Sequence, residues 1–351
     1  MRRNGRWRGR AALAAGAMLC AAVANGASAL ASAAGPEAPA PSEARARLLD
    51  YLRGQNTTGF LVIRDGRVLV EANWPAPAAD RAFAAFVHGR ARDGALLVDV
   101  ASAQKSFVSV LMAIAVDKRL VDVDAPVSDY IGRGWSRASP AEEARIGVVD
   151  VLTMSSGLDK NFGYAAPAGT VFSYNTPVYA VAKRILVAAA KRPLDAITRD
   201  WLTAPLGMRD TAWRKRPAAF AEVGNDSGLV TSPRDMARLG RLILNRGVAE
   251  NGKRIVSEKG FAAMFARSAV NPAYGRLWWL NGSAYMIGPR GRRDGPLVAA
   301  APADMVAALG AFDNQLYVVP SRRLVVVRTG AAAPDKNFDQ QLWLHLMDMV
   351  R

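Results

Sequence analysis

The sequence predicts an α/β fold whose sheet is built from both ends of the chain, and two observations support this. Short β-rich runs that read as hairpins lie near the beginning and near the end of the sequence. A long helical region separates them. A helical insertion between segments of one sheet is typical of one compact unit, which we predict over residues 46–351.

The first elements are a helix and a hairpin. Three leucines at helical spacing predict a helix over Ser42–Arg53. The β-rich runs Thr58–Ile63 and Val68–Glu71 are joined by Arg64-Asp65-Gly66-Arg67, and an Asp-Gly pair is typical of a tight hairpin turn. The sequence therefore predicts two adjacent strands near the start of the domain.

Apolar periodicity predicts the remaining helices, and a second hairpin follows them. The helices cover Phe107–Val116, Val149–Met154, Val178–Ala190, Asp235–Leu244 and Phe338–Val350. The first of these is apolar on almost every face, which is typical of a helix in the middle of a domain. The second hairpin is predicted from Leu316–Val319 and Leu324–Val327.

The first residues have the composition of a secretory signal peptide. Residues 1–10 include five arginines and no acidic residue, Ala11–Ala24 is apolar, and Ala-Ser-Ala segments suitable for cleavage follow. We therefore expect residues 1–33 to direct export to the periplasm or outside the cell, and residues 34–45 to act as a linker. An uncleaved anchor is the alternative, although the apolar run is short for crossing a bilayer.

Cysteine content and charge restrict the possible partners. Cys20 is the only cysteine, so the exported chain would have neither a disulfide nor a thiol nucleophile. No later window of 18 apolar residues predicts an integral membrane segment. The net charge is +16, and without residues 1–33 it is +11, from 41 basic and 30 acidic residues. No nucleic-acid motif accompanies this charge, so we expect no nucleic-acid partner.

Several catalytic chemistries are excluded by the residues that are absent. Only His88, in a polar loop segment, and His345, in the terminal helix, are present, and no Gly-x-Ser-x-Gly motif occurs. Two isolated histidines do not predict a zinc site. No glycine-rich phosphate-binding motif is present, so nucleotide chemistry has no support.

The remaining candidate is Ser102-Ala-Gln-Lys105 at the start of the buried helix. Residues three apart share one helical face, so the hydroxyl and the ammonium can meet. A helix N-terminus supplies N–H groups near the serine, and burial lowers the pKa of a lysine, which suits it to activate a nucleophile. The alternative is an N-cap serine with an unrelated lysine. The position before an all-apolar helix favours function.

Several segments resemble the serine β-lactamase-related hydrolases of the penicillin-recognising superfamily. Three segments look like their nucleophile segment, the loop that follows it, and their second active-site motif; these are Asp99–Phe107, Val149–Leu158, and Ala168–Thr176 followed by Tyr179. Further matches are Leu206–Trp213, Gly228–Asp235 and Phe312–Pro320. The likeness is to class C β-lactamases and to related esterases and aminohexanoate-oligomer hydrolases. It implies a β-lactamase/transpeptidase-like fold, with a central antiparallel sheet from both chain ends, flanking helices and a large helical insertion.

The second motif implies a tyrosine in the site. In the resembled family, a Tyr-x-Asn tyrosine lies beside the serine and lysine and shuttles the proton, which implies this role for Tyr174. Thr176 replaces the asparagine of the class C motif. The segment can also be read as Ser173-Tyr174-Asn175, the Ser-x-Asn of other relatives, although the spacing to Tyr179 fits class C. Another alternative is that Tyr174 is a core aromatic. We also expect Asn175 to contact substrate.

The third motif departs most from the family. Relatives often have Lys-Thr-Gly or His-x-Gly on the strand beside the nucleophile, whereas this chain has Ala308-Leu309-Gly310-Ala311. We expect Gly310 to contact substrate, and the N–H groups of Ser102 and Ala311 to form the oxyanion hole. Arg328-Thr329-Gly330 looks similar but comes after the next hairpin strand, so we interpret it as a strand end. The missing cation disfavours β-lactams and favours esters or linear amides.

Trp278 and Trp279 are adjacent in a predicted strand, so their side chains point to opposite faces. At least one of them is therefore expected to be a core residue, and neither is predicted to be in the site.

The sequence therefore predicts an exported serine hydrolase that cleaves an ester or amide. Tyr174, held by Lys105, would take the proton of Ser102, and an acyl-enzyme would form and be hydrolysed. This chemistry needs no metal or cofactor, and the partner would be a small-molecule ester, amide or β-lactam. The alternatives are a β-lactamase or D-alanyl peptidase, and a penicillin-binding-like protein with little turnover.

Overall fold

Strands from both ends of the chain lie side by side in the computed structural model, which describes residues 41–221 and 225–351. The strands are β1 (Thr57–Arg64), β2 (Arg67–Asn73), β3 (Val87–Arg90), β4 (Leu96–Asp99), β5 (Ala212–Lys215), β6 (Ser227–Thr231), β7 (Trp279–Leu280), β8 (Tyr285–Gly288), β9 (Gly291–Asp294), β10 (Val306–Gly310), β11 (Asn314–Val319) and β12 (Leu324–Gly330). The helices are α1 (Pro41–Gly54), α2 (Arg81–Ala84), α3 (Gln104–Asp117), α4 (Ser128–Ile131), α5 (Pro140–Glu143), α6 (Val148–Leu152), α7 (Thr176–Ala190), α8 (Leu194–Thr198), α9 (Pro233–Leu244), α10 (Glu258–Met264) and α11 (Phe338–Met349).

The main sheet has six antiparallel strands in the order β2-β1-β12-β11-β10-β7. The first two strands come from the start of the domain, and β10–β12 come from its end, which confirms the predicted sheet from both chain ends. The helical insertion between β2 and β7 also contains a smaller sheet, ordered β3-β4-β6-β5, and β8 pairs with β9 as a separate hairpin.

Helices cover both faces of the main sheet. Gly240 of α9 lies directly over Leu316 and Val325 on one face. Tyr317, the next residue along β11, points to the opposite face and packs edge-on against Trp343 of α11, with ring centroids 5.5 Å apart. Strands β11 and β12 are consequently buried along their whole length, as the sequence of mostly apolar residues requires.

The two predicted hairpins are confirmed, and each strand extends a little beyond its predicted ends. Arg64 pairs with Arg67 across a two-residue turn in which Asp65 and Gly66 both have positive φ, the backbone conformation that an Asp-Gly pair favours. The second hairpin pairs Val319 with Leu324. Strand β12 ends at Gly330, so the Arg-Thr-Gly sequence is a strand end, as predicted.

The central helix α3 is surrounded by protein. Its residues from Gln104 to Ala115 are all buried, which confirms the prediction made from the mostly apolar sequence of Phe107–Val116. It packs against α7 and α10 and contacts β10 of the main sheet. Because α3 is fixed on all sides, the residues at its amino-terminal end are held rigidly next to that strand.

The structure covers only part of the amino-terminal region for which predictions were made. The predicted signal peptide and residues 34–40 of the predicted linker lie outside the described residues. Residues 41–45, also predicted as linker, belong to α1, because Ala44 and Leu48 already pack into the core. His88 lies in β3 and not in a loop. Among the described residues, no helix is both long enough and apolar enough to cross a membrane.

Candidate active site

Ser102 lies in a short 3₁₀ turn, Ala101–Ala103, between β4 and α3. The sequence predicted the start of an α-helix, but α3 begins two residues later, at Gln104. Ala101 has a positive φ of 48°, and its N–H donates a hydrogen bond of 2.9 Å to Asp99. This left-handed residue turns the chain sharply just before the serine.

A buried ion pair fixes the strand that leads into this turn. The carboxylate of Asp99 accepts two hydrogen bonds from Arg216, at 2.7 and 2.9 Å, and both side chains are buried. Arg216 follows β5 in the smaller sheet, so the pair joins the nucleophile turn to that sheet. A bidentate geometry restrains both partners more strongly than a single hydrogen bond does.

Lys105 meets Ser102 as its spacing predicts. The Lys105 Nζ atom lies 3.0 Å from the Ser102 Oγ atom, within hydrogen-bonding distance. Only 2% of the Lys105 side chain is exposed. Beside a hydroxyl, a buried lysine accepts the proton when it is a neutral amine, or stabilises the developing alkoxide when it is an ammonium, and this is the arrangement that activates a serine without histidine.

The second motif surrounds the same ammonium. The Lys105 Nζ atom lies 4.9 Å from the ring centre of Tyr174 and 4.7 Å from that of Tyr179. It also donates a hydrogen bond of 3.1 Å to the Thr176 hydroxyl. Thr176 thus makes a polar contact at the position where the class C motif has asparagine. Ser173 is exposed, whereas Tyr174 and Thr176 contact the lysine, which favours the Tyr-x-Thr interpretation over Ser-x-Asn.

Tyr179 has a different role from Tyr174. It is completely buried, and burial raises the pKa of its hydroxyl well above the usual value. Its hydroxyl forms no hydrogen bond within the part of the chain that the structure describes. Tyr179 therefore offers Lys105 an aromatic face and not a proton acceptor, and Tyr174, which is partly exposed, is the tyrosine available to a substrate.

The side chain of Asn175 faces the interior, which argues against its predicted contact with substrate. Its amide donates hydrogen bonds to the carbonyl oxygens of Leu158 and Asp159, at 2.9 and 3.0 Å, and its Oδ1 atom accepts from Val178 N–H at 3.1 Å. Asn175 therefore caps α7 and ties the second motif to the Val149–Leu158 loop. Asn175 thereby positions its two sequence neighbours, Tyr174 and Thr176.

Trp279 belongs to the candidate site, although the sequence did not predict this. Its ring stacks on Tyr174 with centroids 5.8 Å apart and packs edge-on against Tyr274 at 4.9 Å. Trp278 is fully buried, as expected for at least one of the pair. The alternation of the two side chains could be predicted, but the contact with Tyr174 joins residues far apart in the sequence, and no local pattern indicates it.

The third motif lies against the nucleophile turn through Gly310, the last residue of β10. A methyl group added to Gly310 would lie 2.1 Å from the carbonyl oxygen of Val100 and 3.0 Å from the nitrogen of Ala103. Only glycine allows this close approach. The structure thus brings the segment Gly310–Ala311 next to the turn that contains Ser102, as a shared oxyanion hole would require. Gly310 has no side chain and so permits this close packing.

Arg328 holds the turn that follows Gly310 from behind. This turn, Ala311–Asp313, contains two consecutive non-glycine residues of positive φ, Phe312 and Asp313. The fully buried guanidinium of Arg328 donates hydrogen bonds to the carbonyl oxygens of both residues. It also donates to the carbonyl oxygens of Gln55 and Ala331, each at 2.7 Å.

The charge of Arg328 is therefore directed into the protein. Burial lowers the pKa of Arg328 to about 10, and nearby acidic groups raise it in part. Its hydrogen bonds go to backbone carbonyls on the inner side of the turn. It consequently does not supply the substrate-binding cation that the third motif lacks.

The assembled residues can perform acyl transfer. They comprise a serine, a buried lysine in contact with it, a tyrosine against that lysine, and a backbone segment next to the serine. Within residues 41–221 and 225–351, no three His, Cys, Asp or Glu side chains are grouped to hold a metal ion.

Comparison with known proteins agrees with the geometry. The family model described as Beta-lactamase matches residues 46–345. No functionally curated protein is significantly similar in sequence. Among solved structures, a protein assigned as a 6-aminohexanoate-dimer hydrolase from Bacillus anthracis has a TM-score of 0.65 at 18% identity, covering 86% of this chain and 81% of that one.

Two further structures show the same fold in proteins with other names. A β-lactamase/D-alanine carboxypeptidase from Yersinia pestis has a TM-score of 0.63 at 17% identity, covering 88% of this chain and 97% of that one. A family VIII carboxylesterase has a TM-score of 0.64 at 13% identity, covering 90% and 98%. At these identities the similarity shows the fold alone, so the substrate must be inferred from the site.

Proposed function

Because the chain belongs to the Beta-lactamase family, we propose that it is an exported serine hydrolase that cleaves an ester or a linear amide through an acyl-enzyme on Ser102. The observation that carries this proposal is the 3.0 Å contact between the buried Lys105 Nζ atom and the Ser102 hydroxyl. Export is supported by the composition of residues 1–33, and sequencing the amino terminus of the secreted protein would test it.

The proposed reaction begins with proton removal from Ser102. Tyr174 lies against the Lys105 ammonium, with the Nζ atom 4.9 Å from its ring centre, and its hydroxyl is the proposed acceptor of the serine proton. Ser102 then attacks the carbonyl carbon, and the N–H groups of Ser102 and Ala311 stabilise the negative oxygen. The leaving group takes up the proton and departs, and water hydrolyses the acyl-enzyme by the reverse sequence.

The third motif supports esters or linear amides over β-lactams. Segment Ala308–Ala311 carries no charged side chain, and the guanidinium of Arg328 is buried behind the turn. A substrate with a carboxylate beside the reacting bond would find no cation on this strand. A substrate that is neutral at that position loses nothing by its absence.

Parallel turnover assays would test the proposal. We expect the purified chain to hydrolyse a short-chain p-nitrophenyl ester and Ser102→Ala to have no measurable turnover. Ser173→Ala, which removes the exposed serine of the second motif, should keep most of the activity.

A chromogenic cephalosporin in the same assay distinguishes the alternatives. Rapid cephalosporin turnover would make the chain a β-lactamase. A single stoichiometric burst without further turnover would make it a penicillin-binding-like protein. Equal ester turnover by the wild type and Ser102→Ala would contradict the proposed nucleophile.

A further inference from the structure

A cavity of about 650 Å³ lies beside the carboxyl-terminal half of α3, the helix whose first turn carries Lys105. It is bounded by the carboxyl-terminal half of α3, residues 119–124, and α10, and no residue of the candidate active site lines it. Its volume falls within the range of about 300–1,000 Å³ that is typical of small-molecule sites. The cavity is thus large enough for a second ligand that does not enter the active site.

The walls of the cavity are mainly aliphatic. Met112 and Val116 line it from α3, Leu152 from α6, and Met264 from α10. Methionine side chains adapt to flexible apolar chains, and none of these four residues carries a hydrogen-bonding group that would orient a polar ligand. The walls therefore fit a hydrocarbon chain.

One half-buried cation faces the same cavity. The guanidinium of Arg276 forms no hydrogen bond or ion pair with any residue that the structure describes. Burial lowers the pKa of Arg276, and the charge of Asp124 partly offsets this effect. A guanidinium that has lost water without gaining an acceptor is complementary to a ligand that brings oxygen atoms.

The backbone around Arg276 is fixed to α3. The Ser109 hydroxyl donates a hydrogen bond to the carbonyl oxygen of Arg276, and the Ser106 hydroxyl donates to that of Leu277 at 2.8 Å. The Arg276 N–H donates to the carbonyl oxygen of Met264 at 2.9 Å. Arg276 therefore projects from a rigid base, which is what a preformed binding site requires.

The acidic residues at the cavity do not neutralise this cation. Both carboxylate oxygens of Asp117 accept hydrogen bonds from Ser257. Asp122 and Asp124 are exposed, and the carboxylate of Asp122 accepts from the Asp124 N–H at 3.0 Å. Asp117 is therefore already bonded, and Asp122 and Asp124 are exposed, as are the cations Arg119 and Lys259. Among the charged residues that line the cavity, Arg276 is the half-buried one.

We infer that this cavity binds an aliphatic carboxylate, with the hydrocarbon chain against Met112, Val116, Leu152 and Met264 and the carboxylate on the guanidinium of Arg276. The planar guanidinium pairs with both oxygens of a carboxylate, and the aliphatic walls bury the chain. This site is separate from the acyl-transfer site, and the inference does not depend on the proposed function.

Calorimetric titration with octanoate tests the site. Ser102→Ala is the protein used, so that hydrolytic turnover cannot contribute heat. We expect saturable binding, weakened about 10- to 100-fold when Arg276→Gln is added, since a hydrogen bond to a charged group contributes about 1.5–3 kcal/mol. Arg184→Gln, which removes an exposed arginine elsewhere on the surface, is the matched charge control and should bind as before.

Two further sets of titrations test whether the carboxylate and the cavity are both needed for binding. Octan-1-ol and octylammonium have the same chain without the carboxylate, and each should bind at least 10-fold more weakly than octanoate. Ala263→Trp, which places a large ring at the cavity wall, should abolish octanoate binding while thermal unfolding shows that the protein is folded.

Three results would overturn the inference. One is the absence of octanoate binding, and another is unchanged binding to a folded Arg276→Gln protein. The third is equal affinity for the acid, the alcohol and the amine, which would indicate a non-specific apolar cavity.

Discussion

The two sides of the candidate active site are built in different ways. On the nucleophile side, defined by Ser102, Lys105, Tyr174 and Thr176, side chains contact one another around a buried ammonium. On the strand side, defined by Gly310–Asp313, the backbone of Gly310 packs closely against the nucleophile turn, and the nearby cation, Arg328, is turned inward. The chemical groups thus belong to one side, and the other side supplies shape.

This difference bears on both mechanism and substrate. The nucleophile side contains the polar contacts that acyl transfer needs. Removal of any one of them would leave the buried Lys105 ammonium with fewer hydrogen-bond partners, which costs free energy. The strand side needs only a close backbone, which Gly310 permits. The groups proposed for acyl transfer thus lie on one side, and the segment Ala308–Ala311 on the other side presents no charged side chain.

The largest effect is expected from Lys105→Met. The substitution keeps the length of the side chain and removes the charge that contacts Ser102, so kcat for the ester should fall by about 10²–10⁴-fold with little change in KM. Steady-state kinetics of the folded variant provide the measurement. Lys118→Met, at the carboxyl-terminal end of the same helix, is the control. Activity within twofold of the wild type would remove Lys105 from the mechanism.

A smaller effect is expected from Arg328→Lys on the strand side. A lysine cannot reach all the carbonyl oxygens that Arg328 now pairs, and each unpaired buried group costs about 1–3 kcal/mol. We expect a loss of at least about 2 kcal/mol in the free energy of unfolding. The kcat should also fall more than KM rises, because the turn at Phe312 would relax.

Urea unfolding and steady-state kinetics measure these two effects. Arg323→Lys, at an exposed position just before the same strand, is the control. A stable variant with wild-type kcat would show that the strand side does not need Arg328.

Thr176→Val tests the third position of the second motif. Valine has nearly the same shape as threonine but cannot accept the hydrogen bond from Lys105, so we expect kcat to fall by about 10-fold or more. Thr176→Ser retains the hydroxyl and should retain activity. If valine and serine variants are equally active, the contact has no part in catalysis.

The smallest effect is expected from Asp339→Asn, which alters the buried polar network beside Arg328. Asp339 accepts hydrogen bonds on its Oδ1 atom from Gln315 at 2.6 Å and from Tyr317 at 2.8 Å. Burial raises the pKa of Asp339, and these hydrogen bonds lower it only in part. Asparagine would keep the Oδ1 acceptor without the charge.

The sign of the resulting pH dependence follows from that shift. Between the ordinary value of 3.8 and the raised pKa, the folded protein binds the Asp339 proton more strongly than the unfolded chain does. The wild type should therefore lose stability relative to Asp339→Asn as pH rises from about 4, and the difference should level off above the raised pKa. Urea unfolding across this pH range measures it. A pH-independent difference would contradict the shift.

The elements that could be predicted from sequence are those with local signals. The Asp65-Gly66 turn and the buried, mostly apolar α3 depend on neighbouring residues only. The meeting of Ser102 with Lys105 also follows from a spacing of three residues.

The remaining features depend on contacts between distant segments. The inward orientation of Asn175 is set by carbonyl oxygens of the Val149–Leu158 loop and of Asp159. The role of Arg328 depends on Gln55 and Phe312, from the two ends of the domain. The stacking of Trp279 on Tyr174 likewise joins separate elements. No pattern within one segment specifies such pairings.

The proposed mechanism requires that Ser102 is the residue that becomes acylated. Labelling with a fluorophosphonate, which phosphonylates activated serines and releases fluoride, tests this when it is followed by intact-mass measurement and peptide mapping. We expect one adduct per chain on the peptide containing Ser102, slower labelling in Lys105→Met, and no labelling in Ser102→Ala. An adduct on another serine, or full labelling of a folded Ser102→Ala protein, would contradict it.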